Sequence, residues 1–161
     1  DIGSFPVVII QSGTKERTVS IHDVGSGIEY NQTLSFTLID YDGQTMNLNS
    51  ESVIKINPKS HGASMKGSDY AKLTKGVVTF KDFTFVSKPG QPNVQFELTS
   101  KAIDSNLIST VFGSSANGLN QFKCYIDASF RFCQPGEVQE NNECSKCPAG
   151  TYSFEWNSTQ C

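Results

Sequence analysis

Five cysteines are the residues whose type and spacing could carry chemistry in this 161-residue sequence. They are Cys124, Cys133, Cys144, Cys147 and Cys161, and the chain before them contains none. Cysteines spaced in this way can ligate zinc, act as a redox pair, or cross-link a segment that cannot fold alone. Which of these applies decides the compartment in which the protein works.

A metal site and a redox site are both poorly matched by this spacing. Structural zinc usually takes two close pairs of ligands, and only Cys144 and Cys147 form a close pair. The two histidines, His22 and His61, are remote in the sequence. A redox CxxC is expected between a strand and a helix, whereas the turn-forming residues 148–150 (PAG) follow this one. We therefore predict no metal and no cofactor.

The composition of the C-terminal segment favours covalent cross-links. Residues 134–160 hold few core-forming side chains, namely Val138, Tyr152, Phe154 and Trp156. These cannot offset the backbone entropy of folding, about 1 to 2 kcal/mol per residue, whereas a disulfide that closes a loop of about 15 residues offsets roughly 3 kcal/mol. Disulfides imply an oxidising compartment, so the protein is predicted to be extracellular or at the cell surface.

The cysteines predicted to form disulfides are Cys133, Cys144, Cys147 and Cys161. Four cysteines allow three pairings, of which the nested one needs a strained small ring between Cys144 and Cys147. The serial pairing, Cys133 with Cys144 and Cys147 with Cys161, is preferred because each bridge then closes one loop that begins with a Pro-Gly-type turn. The interlaced pairing remains the alternative.

Two N-linked glycosylation sequons agree with secretion. They are NQT at Asn31 and NST at Asn157, and a sequon in a secreted protein marks a surface position. Asn31 and Asn157 are therefore the predicted glycosylation sites.

The stretch CQPGEVQENNECSKCPAGTYSFEWNSTQC, residues 133–161, resembles the short Cys-rich modules of the ephrin-receptor-like and tumour-necrosis-factor-receptor-like families. Such modules follow the pattern CxPGxx…CxxCPxGTYS…CxxC and are strung along the ectodomains of large surface proteins, including many from protists. The matching residues are Cys133, Gly136, Cys144, Cys147, Pro148, Gly150, Thr151, Tyr152, Ser153 and Cys161. The pattern expects a further CxxC beyond Cys161, so the resemblance implies a truncated module of a longer chain.

Upstream of Cys133, short β-type runs alternate with turn residues, and no convincing helical window occurs. The predicted strands are Val7–Ile10, Arg17–Ile21, Leu34–Ile39, Val53–Ile56, Tyr70–Leu73, Val77–Val86, Val94–Thr99, Ile108–Phe112 and Phe122–Phe132. This pattern predicts an all-β fold: an immunoglobulin-like antiparallel β-sandwich over residues 1–132, followed by a small disulfide-rich module over residues 133–161. Residues 1–13 belong either to this sandwich or to a linker or preceding module.

The stretch GVVTFKDFTFVSKPGQPNVQFELTS, residues 76–100, contains two alternating segments joined by a Pro-Gly turn, with a register change at Lys81 and Asp82. It resembles the signature G-x-A-x-F-x-D-L-x-V…PG…Y-x-L of filamin-like and bacterial immunoglobulin-like repeats. Val94 and Phe96 stand near the position where those families usually place a tyrosine. The resemblance implies a spacer or adhesive module.

Cys124 lies in an alternating run and is read as a buried core thiol, with pairing to another chain's cysteine as the alternative. Asp40-Tyr41-Asp42-Gly43 is predicted to be a hairpin turn, with a calcium loop as the alternative. His61, among hydroxyl residues, is read as an ordinary loop histidine because no nucleophile elbow is present.

Charge and motifs narrow the function further. The formal net charge of −3 is distributed without runs of like charge. This distribution excludes a basic surface for nucleic acid and a basic patch for an anionic membrane. No nucleotide-binding or hydrolase motif occurs, so no enzyme is predicted. We expect a structural or adhesive module of a large surface protein or filamentous assembly, whose partners are other protein chains or copies of itself. The alternative is a receptor ectodomain that binds a soluble protein or carbohydrate. Exposure of the aromatic side chains of residues 152–156 would favour that alternative, whereas our expectation is that they pack over their own disulfide loop.

Overall fold

The structure is a computed structural model that describes residues 5–46, 52–112 and 123–161. The strands are β1 (Val8–Gln11), β2 (Thr18–Val24), β3 (Leu34–Ile39), β4 (Val53–Pro58), β5 (Ser64–Gly67), β6 (Tyr70–Lys72), β7 (Val77–Phe80), β8 (Phe83–Val86), β9 (Val94–Thr99), β10 (Cys124–Phe130), β11 (Glu137–Glu140) and β12 (Glu143–Lys146). The helix of the described part is α1 (Ser105–Phe112). The prediction of an all-β fold is confirmed at this level.

The described strands form four sheets. The five-stranded sheet has the order β2-β10-β9-β4-β6, the three-stranded sheet has the order β1-β3-β7, and β5-β8 and β11-β12 are two-stranded. All pairings between these strands are antiparallel except that of β2 with β10, which is parallel. The prediction of a purely antiparallel arrangement is therefore wrong at that one pairing. Residues 5–132 are called the body, and this pairing joins its early strand β2 to its last strand, β10.

Side chains from the three sheets of the body meet in one core. The strands alternate as half-buried strands should: β10 buries every second side chain from Cys124 to Phe130, and β9 does the same from Val94 to Leu98. The core centres on five fully buried phenylalanines, Phe36, Phe80, Phe83, Phe85 and Phe96. Their rings touch across sheets, because Phe85 of β8 lies with its ring centroid 4.7 Å from that of Phe96 in β9.

Helix α1 replaces the strand predicted at Ile108–Phe112, and that prediction is wrong. Asp104 caps the helix, since its Oδ1 accepts hydrogen bonds from the backbone N–H groups of Asn106 (3.0 Å) and Leu107 (3.2 Å). Ile108 is buried in a second small cluster with apolar residues of β1 and its flank, including Val8. Capping and this apolar contact together hold the helix against the body.

The single strand predicted over Val77–Val86 is in fact two strands that belong to different sheets. The register change predicted at Lys81 and Asp82 is where they separate, and Asp82 adopts a positive φ of 57° there. Gly67 of β5 passes so close to this crossover that a Cβ atom would lie 2.7 Å from the Asp82 carbonyl oxygen. Only glycine fits at that position, since its φ is also positive, at 87°.

The sequence Asp40-Tyr41-Asp42-Gly43 forms the predicted turn. The Asp40 side chain is buried, and its Oδ1 accepts hydrogen bonds from the backbone N–H groups of Asp42 and Gln44, both at 2.9 Å. This carboxylate oxygen is therefore used to fix the turn. The strand predicted over Phe122–Phe132 is observed as β10, while Phe122 lies outside the described residues.

Candidate functional site

The Cys-rich segment, residues 133–161, is built around the hairpin of β11 and β12. Asn141 and Asn142 form its two-residue turn, and both have positive φ values, 52° and 62°. Two left-handed residues give a hairpin turn whose twist matches that of the strands, and asparagine tolerates this conformation better than most residues. The hairpin faces the body, so its turn and both of its strands can contact it.

Two disulfides close this segment. The junction disulfide, Cys133–Cys144, has Cα atoms 5.4 Å apart, and the outer disulfide, Cys147–Cys161, has Cα atoms 5.7 Å apart. This is the serial pairing. Both cysteines of the junction disulfide are buried, whereas Cys161 is exposed. The two bridges indicate an oxidising, extracellular type of environment.

A buried ion pair joins the Cys-rich segment to the end of β10. The Glu137 carboxylate, whose side chain is only 4% exposed, accepts two hydrogen bonds from the Arg131 guanidinium, at 2.8 and 3.1 Å. It accepts a third from the Gln134 backbone N–H at 3.0 Å. Gly25 makes room for this arrangement, because a Cβ atom there would lie 2.8 Å from Arg131 Nη2. Bidentate pairing of this kind fixes orientation as well as distance.

The Glu137 carboxyl remains ionised in spite of its burial. Burial by itself raises the pKa of this carboxyl. The hydrogen bonds from Arg131 and the Gln134 amide, together with the charges of Arg131 and Lys146, lower the pKa by more than burial raises it. The net pKa of Glu137 therefore lies below its ordinary value of 4.5. The charged form that Arg131 requires is stable over the whole neutral range.

Ser26 of the body makes a second, independent connection to the hairpin. Its hydroxyl donates to the Asn142 carbonyl at 2.5 Å and accepts from the Ser87 backbone N–H at 3.1 Å. Its own carbonyl accepts from the Cys144 backbone N–H at 2.7 Å. Ser26 is completely buried, so these polar groups have no water with which to exchange partners, and separating the hairpin from the body would leave them unpaired.

A more exposed pair lies beside this connection. Lys66 Nζ lies 2.5 Å from Glu143 Oε1, and the Lys66 side chain is 60% exposed. The backbone at Gly27 packs against the same glutamate, since a Cβ atom there would lie 2.8 Å from the Glu143 side chain. Within the described residues, the junction between body and Cys-rich segment thus includes one buried ion pair, one buried hydroxyl network and one solvated ion pair.

Three aromatic side chains of the Cys-rich segment, Tyr152, Phe154 and Trp156, are exposed within five residues of the sequence and are called the aromatic patch. Their exposed fractions are 52%, 84% and 61%. Ser153 points the other way, because its buried hydroxyl donates to the Glu137 carbonyl at 2.6 Å. Tyr152 and Phe154 therefore share the outer side of the chain, with ring centroids 5.0 Å apart. The expectation that these side chains pack away over their own disulfide loop is wrong for Phe154 and Trp156, whereas the half-exposed Tyr152 ring lies against Gly136 inside the loop closed by the junction disulfide.

The two sequon asparagines occupy different surroundings. Asn31 is exposed in the connection between β2 and β3. Asn157 is half-buried with a positive φ of 58°, and its backbone N–H donates to the Cys133 carbonyl at 2.6 Å. Asn157 thus follows Trp156 in the sequence and is tied by its backbone to the junction disulfide, while Asn31 lies in the body.

Cys124 is buried in the core, 1% exposed, and stands opposite Leu98 of β9. Burial raises the pKa of its thiol to about 12, and the charge of Arg17 only partly opposes this. The thiol therefore behaves as a small apolar side chain and not as a nucleophile.

His61 is exposed in the loop between β4 and β5, and within the described residues no three metal-ligating side chains cluster.

Sequence reasoning missed the residues that form the junction. Arg131, Glu137 and Ser26 are single polar residues without a motif, and only the fold brings them together.

Within the described residues, no helix has the length and apolar character that a membrane span requires. No family model and no curated protein matches this chain.

Proposed function

We propose that this chain is a structural or adhesive module of a large extracellular or cell-surface protein. In this role the body and the Cys-rich segment set distance and direction, and their surfaces contact other protein chains or copies of the same chain. The role is not enzymatic. The observation that carries the proposal is the junction, where the Cys-rich segment is held against the body by buried polar contacts.

A spacer transmits direction only if its joints resist bending. Only Arg131 and Phe132 lie between β10 and Cys133 of the junction disulfide. The Arg131 side chain is held by Glu137, and the Phe132 ring lies against Gly90, where a Cβ atom would be 2.5 Å from the ring. The Ser26 network fixes the hairpin on the other side of this connection. A flexible linker would carry Gly or Ser residues without such contacts.

Strand order supports an immunoglobulin-like arrangement of the body. In immunoglobulin constant-type domains one sheet contains the strands C, F and G and the other contains A, B, E and D. Here β4, β9 and β10 are neighbours in the order expected for C, F and G, and β1, β3 and β7 are neighbours in the order expected for A, B and E. With the resemblance of residues 133–161 to surface-protein modules, this order favours a module from a multi-module ectodomain.

The spacer proposal is tested by the disulfides and by the shape of the protein in solution. In protein secreted by a eukaryotic host, peptide mapping without reduction should recover both bridges. Small-angle scattering should fit one rigid particle, and Arg131→Ala should broaden the distance distribution. Lys66→Ala, which removes only the solvated ion pair, is the matched control and should leave the distribution unchanged. Free thiols, a shared zinc ion, or a wild-type protein that already bends freely would overturn the proposal.

Adhesion between copies is most readily explained by the sheet edges. β2 and β6 are the outer strands of the five-stranded sheet, so each has an unpaired edge within the described part of the chain. Addition of a strand from a neighbour would satisfy the open backbone groups. Amide exchange at Tyr70–Lys72 should slow when copies or partners assemble, and unchanged exchange in an assembled sample would rule this contact out.

The exposed aromatic patch favours a second candidate function, a receptor ectodomain. Large exposed apolar side chains that lie close together commonly mark binding surfaces. If a soluble protein or carbohydrate binds here, Trp156→Ala should abolish capture in a pull-down or on a glycan array while both disulfides and the thermal transition are kept. Binding that survives this substitution would remove the receptor from consideration.

A further inference from the structure

The aromatic patch lies directly against a glycosylation sequon in the chain. Trp156 immediately precedes Asn157, and Phe154 lies three residues before it. The backbone of Asn157 has a positive φ of 58° in the turn that follows these two residues. Any group attached to this asparagine would begin next to the exposed rings.

The Asn157 side-chain amide makes no hydrogen bond within the described part of the chain. Its Oδ1 is buried without a hydrogen-bond partner in the described part of the chain. Its Nδ2, the atom that carries an N-linked sugar, makes no hydrogen bond there either, and the residue as a whole is half-buried. Thr159, the hydroxyl residue of the sequon, is exposed.

The size and charge of the patch suit a neutral sugar. At about 200 Å² per aromatic side chain, the exposed fractions amount to roughly 400 Å², half of the roughly 800 Å² that each partner buries in a standard protein interface. Residues 147–161 contain no lysine or arginine, and Glu155 is their single acid. The apolar C–H face of a pyranose can stack on an aromatic ring without any counter-charge.

The other sequon lacks this setting. Tyr30 precedes Asn31, but its ring is turned into the body, with its centroid 5.5 Å from that of Phe83 and 5.9 Å from that of Phe85. No exposed large apolar side chain is found within three residues of Asn31. A sugar on Asn31 would extend into water, which makes this site the internal control.

We propose that Asn157 carries an N-linked glycan whose first sugars lie on Phe154 and Trp156 and cover the aromatic patch. In the transfer, Nδ2 forms a bond to C1 of the first N-acetylglucosamine. The bond from that C1 to the diphosphate of the lipid-linked donor breaks, and Nδ2 loses one proton. The inference rests on the extracellular location proposed above, and it assigns the patch to a sugar of the chain itself instead of to a free ligand.

Trp156 makes the test direct because it is the only tryptophan in the sequence. The full chain, secreted by a eukaryotic host, is mapped for glycopeptides, and quenching of Trp156 fluorescence by acrylamide is measured. The glycan should lower the quenching constant by about twofold, since stacking covers one face of the indole. Trimming to a single N-acetylglucosamine should keep most of this protection, and Thr159→Ala, which destroys the sequon, should remove it. Thr33→Ala, which destroys the other sequon, should change nothing.

The possible outcomes are distinguishable. Asn157 found unmodified while Asn31 is occupied and both disulfides are intact would overturn the inference but not the proposed function. Equal quenching of Trp156 before and after enzymatic removal of the sugars from the wild-type protein would overturn it as well, without any substitution. Quenching that depends on protein concentration would show that a second copy covers the patch, and protection gained only on adding a partner protein would assign the patch to that partner. Free thiols at the four cysteines would overturn the extracellular location instead.

Discussion

Substitution of Glu137 by glutamine should weaken the whole junction. The variant keeps the shape of the side chain and one acceptor for the Gln134 amide, but it leaves the Arg131 guanidinium without its counter-charge. Breaking a buried ion pair from one side costs about 3 to 5 kcal/mol. The Arg131 side chain is 17% exposed and so can recover some hydration, and we therefore expect a loss of about 2 to 3 kcal/mol in the free energy of unfolding.

Glu143→Gln provides the matched control, because it makes the same chemical change in the neighbouring strand of the same hairpin. Its partner Lys66 is largely solvated, and exposed ion pairs contribute about 0 to 1 kcal/mol. Urea denaturation of wild type and both variants, with the slope of the transition compared among them, measures the two losses. Circular dichroism and the fluorescence of Trp156 would report whether the body and the Cys-rich segment unfold together.

The effect of Glu137 should also depend on pH with a defined sign. Its pKa in the folded protein is lowered below 4.5, so its contribution to stability is complete above that pH and is lost as the pH falls through the folded value. The stability difference between wild type and Glu137→Gln should therefore be constant near neutrality and shrink in acid. Losses from the two substitutions that agree within about 0.5 kcal/mol, or a difference that does not change in acid, would refute the account of the junction.

The remaining predictions concern sulfur and the core. A mild dithiol reductant should open the outer disulfide before the buried junction disulfide, because Cys161 is exposed, and alkylation with peptide mapping gives the order. The Cys124 thiol, with its pKa raised to about 12, should resist alkylation in the native protein and react only on unfolding; fast native reaction would contradict its burial. Phe85→Ala should cost about 3 to 5 kcal/mol, whereas Phe154→Ala in unglycosylated protein should change stability by less than about 0.5 kcal/mol in urea denaturation.

Periodicity in the sequence predicted most of the body strands, because half-buried strands alternate and the alternation is local. It failed where another signal was stronger. Ile108–Phe112 has apolar residues typical of a strand, yet Asp104 caps a helix there, and Ile108 is the one fully buried side chain among residues 105–111. β5 is short and polar and carries no alternation that would distinguish it from a loop.

Long-range arrangement could not be derived from local pattern. The parallel pairing of β2 with β10 joins strands that lie about a hundred residues apart in the sequence. A strand shows the same alternation of buried and exposed side chains beside a parallel or an antiparallel neighbour, so its sequence does not reveal the direction of pairing. The same limit applies to the junction. The need for cross-links follows from the small number of apolar residues in 134–160. A single glutamate without a surrounding motif, however, does not predict that Glu137 is buried against Arg131.

The parallel contact between β2 and β10 determines how the body would respond to tension. Force that reaches β2 from its N-terminal side and β10 from its C-terminal side pulls the two strands along their length in opposite directions. The pairs from Thr18 with Tyr125 to Val24 with Phe130 then bear the load together in shear, instead of opening one after another as in an unzipped hairpin. A protein that is stretched between two surfaces would resist extension most strongly at this contact.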